Sequence, residues 1–156
     1  MGTRNLTKVI DGNGEVKVAQ YGQWDGYPSG QGLSALYHAR NAHAISASLP
    51  YVRFVSEDEA NALMAGYDFA NGNFSRDFPS LSRDTGADIL GVIVYSAGEV
   101  PLIDNREFEN DDLFCEGVYT IDFQTNSFIS KFGDNHVLFP LDNLPTNDEY
   151  LEAFRD

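Results

Sequence analysis

A chain of 156 residues with 24 acids against 10 Lys and Arg carries a formal charge of −14, a field that opposes unassisted binding to nucleic acid or an anionic membrane and favours basic protein surfaces or cations. Its hydrophobic content of 42% is that of a globular protein, its length suits a single domain over residues 1–156 with one core, and no apolar run nears the roughly 18 residues of a membrane span. Cys115 is the sole cysteine, which excludes an intramolecular disulfide.

Residues 5–10 and 16–21 alternate as strands around Asp11-Gly12-Asn13-Gly14, whose Asp-Gly and Asn-Gly steps supply the positive φ of a tight turn. A first hairpin is expected there. A calcium loop through Asp11, Asn13 and Glu15 is the sharper alternative, but the later Glu and the flanking helices that it requires are missing. After a loop, Leu33, Leu36, Tyr37 and Arg40 recur at helical spacing, giving a helix to about residue 44. Residues 51–55 read as a short strand, and Ser56 with Glu59 three residues on opens a second helix that closes at Gly66. Residues 67–79 read as an irregular surface loop pinned by Phe69, Phe74 and Phe78.

Asp84 is the expected N-cap of a third helix with Ile89, Leu90, Ile93 and Val94 as its apolar stripe, and a buried strand over 89–95 is the alternative. Residues 98–112 form an acidic connector. Residues 113–123 and 127–132 form a second hairpin around Gln124-Thr125-Asn126, with one face more buried than the other. Cys115, in that strand, reads as a small buried hydrophobe. Pro140 and Pro145 frame a loop, and Thr146 with Glu149 caps a last helix carrying Tyr150, Leu151 and Phe154. The sum is an α+β domain, a mainly antiparallel sheet from two hairpins with three to four helices.

The most specialised stretch is VAQYGQWDGYPSGQG, residues 18–32, with the only Trp, two Tyr, four Gly and one Pro. Such strand-to-helix loops often carry function. Asp25 has two readings. It is a turn builder whose side chain bonds nearby backbone N–H groups, or it is a general base or hydroxyl anchor whose pKa the rings of Trp24 and Tyr27 would raise. In the second reading Tyr21, Trp24 and Tyr27 wall a ligand pocket, and the backbone of Gly30 and Gly32 faces an anion. Gly30-Gln31-Gly32-Leu33-Ser34-Ala35 matches a dinucleotide fingerprint letter for letter, but a hairpin and a long loop precede it instead of a parallel βαβ strand. His38 and His43 stand about 140° apart around a helix and share no metal-binding face. No residue pattern calls for a metal or another cofactor.

The charge is uneven: residues 99–156 hold fourteen acids and three bases, whereas residues 1–98 hold ten and seven. Asp104, Glu107, Glu109, Asp111 and Asp112 form the densest run. An extended chain advances about 3.3 Å per residue, comparable to phosphate spacing on a DNA strand, so these five can stand in for a phosphate row facing a basic channel. The bland alternative is that the acidity serves solubility alone.

Three segments, GTRNLT (2–7), QYGQWDGYPSGQG (20–32) and SRDTGA (82–87), resemble a family of small uncharacterised proteins of bacterial and bacteriophage genomes. The resemblance brings no catalytic residues with it. A bacteriophage setting implies a cytoplasmic protein of the host cell, and suits a counter-defence inhibitor that binds a basic nuclease or nucleoprotein complex without contacting nucleic acid itself. The segment Met1-Gly2-Thr3-Arg4-Asn5-Leu6 lacks the apolar stretch of a signal peptide and fits that location. The competing expectations are thus an acidic inhibitor, an immunity-type partner of a basic toxin, and a small-molecule or nucleotide binder or hydrolase built on residues 21–32.

Overall fold

The computed structural model describes residues 2–155. Strand β1 (Asn5–Ile10) turns into β2 (Val16–Gly22) at the expected Asp11–Gly14 segment, where the Asn13-Gly14 step takes the positive φ and Gly12 does not. The Asp11 carboxylate accepts the N–H groups of Asn13 and Glu15, each at 2.9 Å, and Gly14 takes a φ of 85°. Asp11 is therefore engaged in the turn itself. On its other edge β1 pairs in parallel with β5 (Gly117–Asp122), which returns antiparallel through β6 (Ser127–Phe132) and then β7 (Asn135–Pro140). The sheet order is β2-β1-β5-β6-β7, mainly antiparallel with one parallel pair at its centre. The domain is α+β.

Strand β7 corrects the expectation of a loop around Pro140. Val137 and Phe139 alternate with the exposed His136, Leu138 and Pro140, and a proline is tolerated on an edge strand because no neighbour needs its N–H. A second correction concerns β5, whose six residues are all buried. Tyr119 and Ile121 join the core beneath the helices, and on the other face of the sheet Phe108 and Glu109 reach Tyr21 of β2 and Lys8 of β1. Phe114 lies before the strand and is exposed.

Helix α1 (Leu33–Ala39) and helix α2 (Ala42–Ser48) replace the single expected helix, because Asn41 leaves helical geometry at φ −111°, ψ 39°. Helix α3 (Glu57–Leu63) begins as expected, with Ser56 Oγ accepting the Glu59 N–H at 3.1 Å. The 67–79 segment contains the short helix α4 (Phe74–Asp77), and its rings pack on one another outside the main core: Tyr67 lies edge-on to Phe69 and Phe78, each at 5.0 Å. Residues 89–95 are helix α5 (Ile89–Tyr95), not a strand, and bury Ile89, Leu90 and Ile93. Asp84 does not cap it, because the chain passes first through a short 3₁₀ turn at Gly86–Asp88. Helix α6 (Asn147–Glu152) carries the full Thr146–Glu149 capping box.

The acidic connector is more structured than its composition suggests. It contains β4 (Val100–Leu102), which pairs in parallel with β3 (Val52–Phe54), and a 3₁₀ helix at Arg106–Asn110. The core lies between the sheet and α1, α2, α5 and α6. Val9, Val18, Tyr119, Ile121 and Phe128 from the sheet meet Leu36, Ile45, Ile89, Leu90 and Tyr150 from the helices. Each such side chain contributes roughly 1.5–3 kcal/mol on burial. Among the described residues, no helix is long and apolar enough to cross a membrane.

Candidate functional site

The three segments GTRNLT, QYGQWDGYPSGQG and SRDTGA meet in one junction at the edge of the sheet. Asn5 Nδ2 donates to the carbonyls of Gly22 and Trp24, each at 3.2 Å, and the Gly26 N–H donates to the Thr3 carbonyl at 2.9 Å. From the other side, the Gln23 N–H donates to the Arg83 carbonyl at 2.9 Å, Trp24 Nε1 to Asp84 Oδ1 at 2.7 Å, and the Ala87 N–H to Gln31 Oε1 at 2.7 Å. Tyr119 Oη, buried beneath, donates to the Gly26 carbonyl at 2.6 Å. Close approach explains the glycines. A Cβ on Gly22 would stand 2.6 Å from Asn5 Oδ1, and one on Gly32 would stand 2.6 Å from Tyr150 Oη.

This geometry reassigns several residues of the 21–32 loop. Trp24 is tied to Asp84, Tyr21 lies edge-on to Phe108 at 4.9 Å, and Tyr27 packs against Phe132 at 5.6 Å, so the three rings do not wall one pocket. The N–H groups of Gly30 and Gly32 donate to the Tyr27 carbonyl at 3.0 and 3.2 Å, inside the wide turn Pro28–Gly32. Gly32 is buried as well. Neither offers a donor to an anion. Asp25 shapes the turn through its backbone: its φ is 56°, and its carbonyl accepts the Gln31 N–H at 2.7 Å. Its side chain lines an open depression with Ser29, Ser34, Tyr37, His38 and Asp88.

The five acids of the 104–112 run do not form a row. The 3₁₀ helix coils Glu107 and Glu109 between the flanking Asp104, Asp111 and Asp112, and four of the five have partners within the protein. Arg106 reaches both carboxylate oxygens of Asp104; partial burial pushes the Asp104 carboxyl up, and the guanidinium and backbone N–H of Arg106 together more than offset this, holding it below the usual range. Glu107 accepts from Asn110 Nδ2 at 3.2 Å. Glu109 pairs with Lys8 on the sheet, and Asp111 accepts the N–H groups of Leu113 and Phe114 at 3.2 and 3.0 Å. The extended spacing expected of a phosphate row is therefore absent from Arg106–Asn110.

What the run does is build one wall of a groove. Phe108 and Glu109 anchor the segment on the face of the sheet opposite the helices, through Tyr21 and Lys8. Beside them a groove of about 650 Å³ is lined by Glu109, Asp112, Cys115, Glu116, Val118, Lys131, Phe132, Gly133 and Asp134. Four carboxylates face one lysine. Leu113, 77% exposed, and Phe114 flank it in sequence, with Arg4 over the Phe114 ring at 4.9 Å. Burial pushes the Cys115 thiol up to about 11, with Glu109 adding to the effect. Glu116 and Asp134 were invisible as site residues in the sequence: Asp134 joins the groove only because β7 exists and makes residues 133–134 a turn.

Among the described residues, no group of three or more His, Cys, Asp or Glu side chains is placed to share a metal ion. Comparison with protein-family models, with curated proteins and with solved structures finds no match for this chain.

Proposed function

We propose that this protein binds a basic protein partner through the acidic groove on the face of its sheet opposite α1, α2, α5 and α6, as an inhibitor or an immunity-type partner would. The observation that carries the reading is the combination within that groove of Glu109, Asp112, Glu116 and Asp134 against Lys131 alone. Lys8 neutralises Glu109, which leaves Asp112, Glu116 and Asp134 as the charges offered to a partner. The exposed Leu113 and Phe114 supply apolar area beside them, as interface centres do.

The partner contact is a concave slot for a cationic segment with apolar residues, in place of a phosphate row along 104–112. Charge complementarity of this kind accelerates encounter and rejects acidic partners. A counter-defence role against a basic nuclease is one biological setting for the same contact. The test is fluorescence anisotropy of a labelled Lys- and Leu-containing peptide against the wild type and the Asp112→Lys, Glu116→Lys, Asp134→Lys triple variant. Binding that weakens with salt and is lost in the variant supports the reading. Equal binding by wild type and variant refutes it.

A further inference from the structure

We propose that the paired depressions on either side of His38 form a binding site for a nucleoside, an uncharged planar heterocycle carrying sugar hydroxyls. This site lies on the helical side of the molecule and is independent of the acidic groove.

The first depression, about 310 Å³, opens between α1–α2 and α5 and is lined by Tyr37, His38, Asn41, Val94 and Tyr95, among others. Its volume is at the lower end for small-molecule sites. Tyr95 and Tyr37, 82% and 68% exposed, are the two most exposed of the Phe, Tyr and Trp residues among the described residues, and both line this one cavity. Rings left in water have a large hydrophobic area to bury, and a base stacked on an aromatic side chain recovers it without regard to base identity. Asn41 offers both a donor and an acceptor at the cavity wall for the edge of a heterocycle. Arg40 also lines the cavity, but one of its guanidinium nitrogens is held by the Pro145 carbonyl at 3.0 Å and by Asn147 Oδ1 at 2.9 Å.

The second depression, about 450 Å³, shares Tyr37 and His38 with the first and adds Asp25, Ser29, Ser34 and Asp88. His38 Nε2 stands 3.2 Å from Asp88 Oδ1, and the Asp88 side chain is 74% exposed, so its second oxygen is open to a ligand. Carboxylates accept hydrogen bonds and donate none when ionised. Asp25 and Asp88 therefore select a ligand that brings donors, as ribose hydroxyls do. A phosphate would meet both carboxylates within a protein of net charge −14, and the repulsion favours nucleosides over nucleotides. The heterocycle occupies the Tyr37–Tyr95 cavity, and the sugar reaches past His38 toward Asp88 and Asp25.

Isothermal titration calorimetry with adenosine, guanosine, cytidine, uridine and AMP tests this on the wild type and on Tyr95→Ala, Tyr95→Phe and Asp88→Asn. The altered side chains are on the surface, and thermal melts confirm that each variant is folded. The expected result is saturable binding of at least one nucleoside, weakened about tenfold by Tyr95→Ala, retained in Tyr95→Phe and weakened in Asp88→Asn, with AMP weaker than adenosine. Absence of saturable binding by every nucleoside overturns the proposal. So does a Tyr95→Ala variant that binds as the wild type does, or AMP that binds more tightly than adenosine.

Discussion

Trp24 Nε1 donates to Asp84 Oδ1 at 2.7 Å, and Ser75 Oγ donates to the other oxygen of the same carboxylate at 2.9 Å. Asp84 thus ties the 20–32 loop to the segment that leads into α5 and to α4. Replacing Trp24 with Phe keeps an aromatic ring, though a smaller one, and removes the donor. The expected cost is about 1 kcal/mol, the size of a net hydrogen bond, read as a lower urea midpoint. A double-mutant cycle with Asp84→Ala should return a coupling of the same order, whereas additive costs would show that the bond adds nothing.

Gly32→Ala places a methyl 2.6 Å from Tyr150 Oη and 3.0 Å from the Tyr119 ring, both fully buried. Both rings are tethered, Tyr150 Oη donating to Ser130 Oγ at 2.9 Å and Tyr119 Oη to the Gly26 carbonyl at 2.6 Å. The expected loss is about 1–3 kcal/mol, as for an overpacked core. Gly12→Ala, with nothing within 4 Å of the added methyl, is the control and should stay within about 0.5 kcal/mol of wild type. Denaturant unfolding of the two variants side by side is the measurement.

The sequence carried the fold where local chemistry decides it and lost it where tertiary context does. The Asp11–Gly14 turn, the Ser56 cap and the Thr146–Glu149 box were legible because each is a contact within five residues. Strand β7 was hidden by Pro140, which reads as a breaker until the strand is known to be an edge. The parallel pairing of β1 with β5 joins residues over a hundred positions apart, and no periodicity signals it. The same distance effect misplaced the site. Trp24, Tyr27 and Asp25 lie within four residues of the chain, yet they face Asp84, Phe132 and the His38 depression respectively, while the groove joins Asp112 and Glu116 of the 111–116 segment to Asp134 of the β6–β7 turn.

Asp77 gives the aromatic lobe a pH dependence. Hydrogen bonds from Arg76 and then from Tyr67 hold its carboxyl at about 2, against an unfolded value of 3.8. A depressed carboxyl stabilises the folded lobe above the unfolded value, and that contribution is lost as pH falls toward about 2. Near-ultraviolet circular dichroism from Tyr67 and its neighbours should therefore decline between roughly pH 4 and pH 2, and Asp77→Asn should flatten that decline.

Cys115 should react slowly with iodoacetamide at neutral pH, because burial pushes its thiol up to about 11 and the thiolate is the nucleophile. The rate should climb with pH toward about 11. A pH-independent rate between 7 and 10 would contradict the burial of the thiol and the net effect of the nearby acids, which outweighs that of Lys131.

Because Cys115 lines the acidic groove, its alkylation rate is also the most direct reading of what occupies that groove. The measurement is the rate of Cys115 modification at fixed pH with and without a saturating Lys- and Leu-containing peptide, at low and high salt. The expected result is protection at low salt that is lost at high salt, and no protection in the Asp112→Lys, Glu116→Lys, Asp134→Lys variant. A peptide that binds the protein and leaves the Cys115 rate unchanged would contradict the assignment of this groove as the partner site.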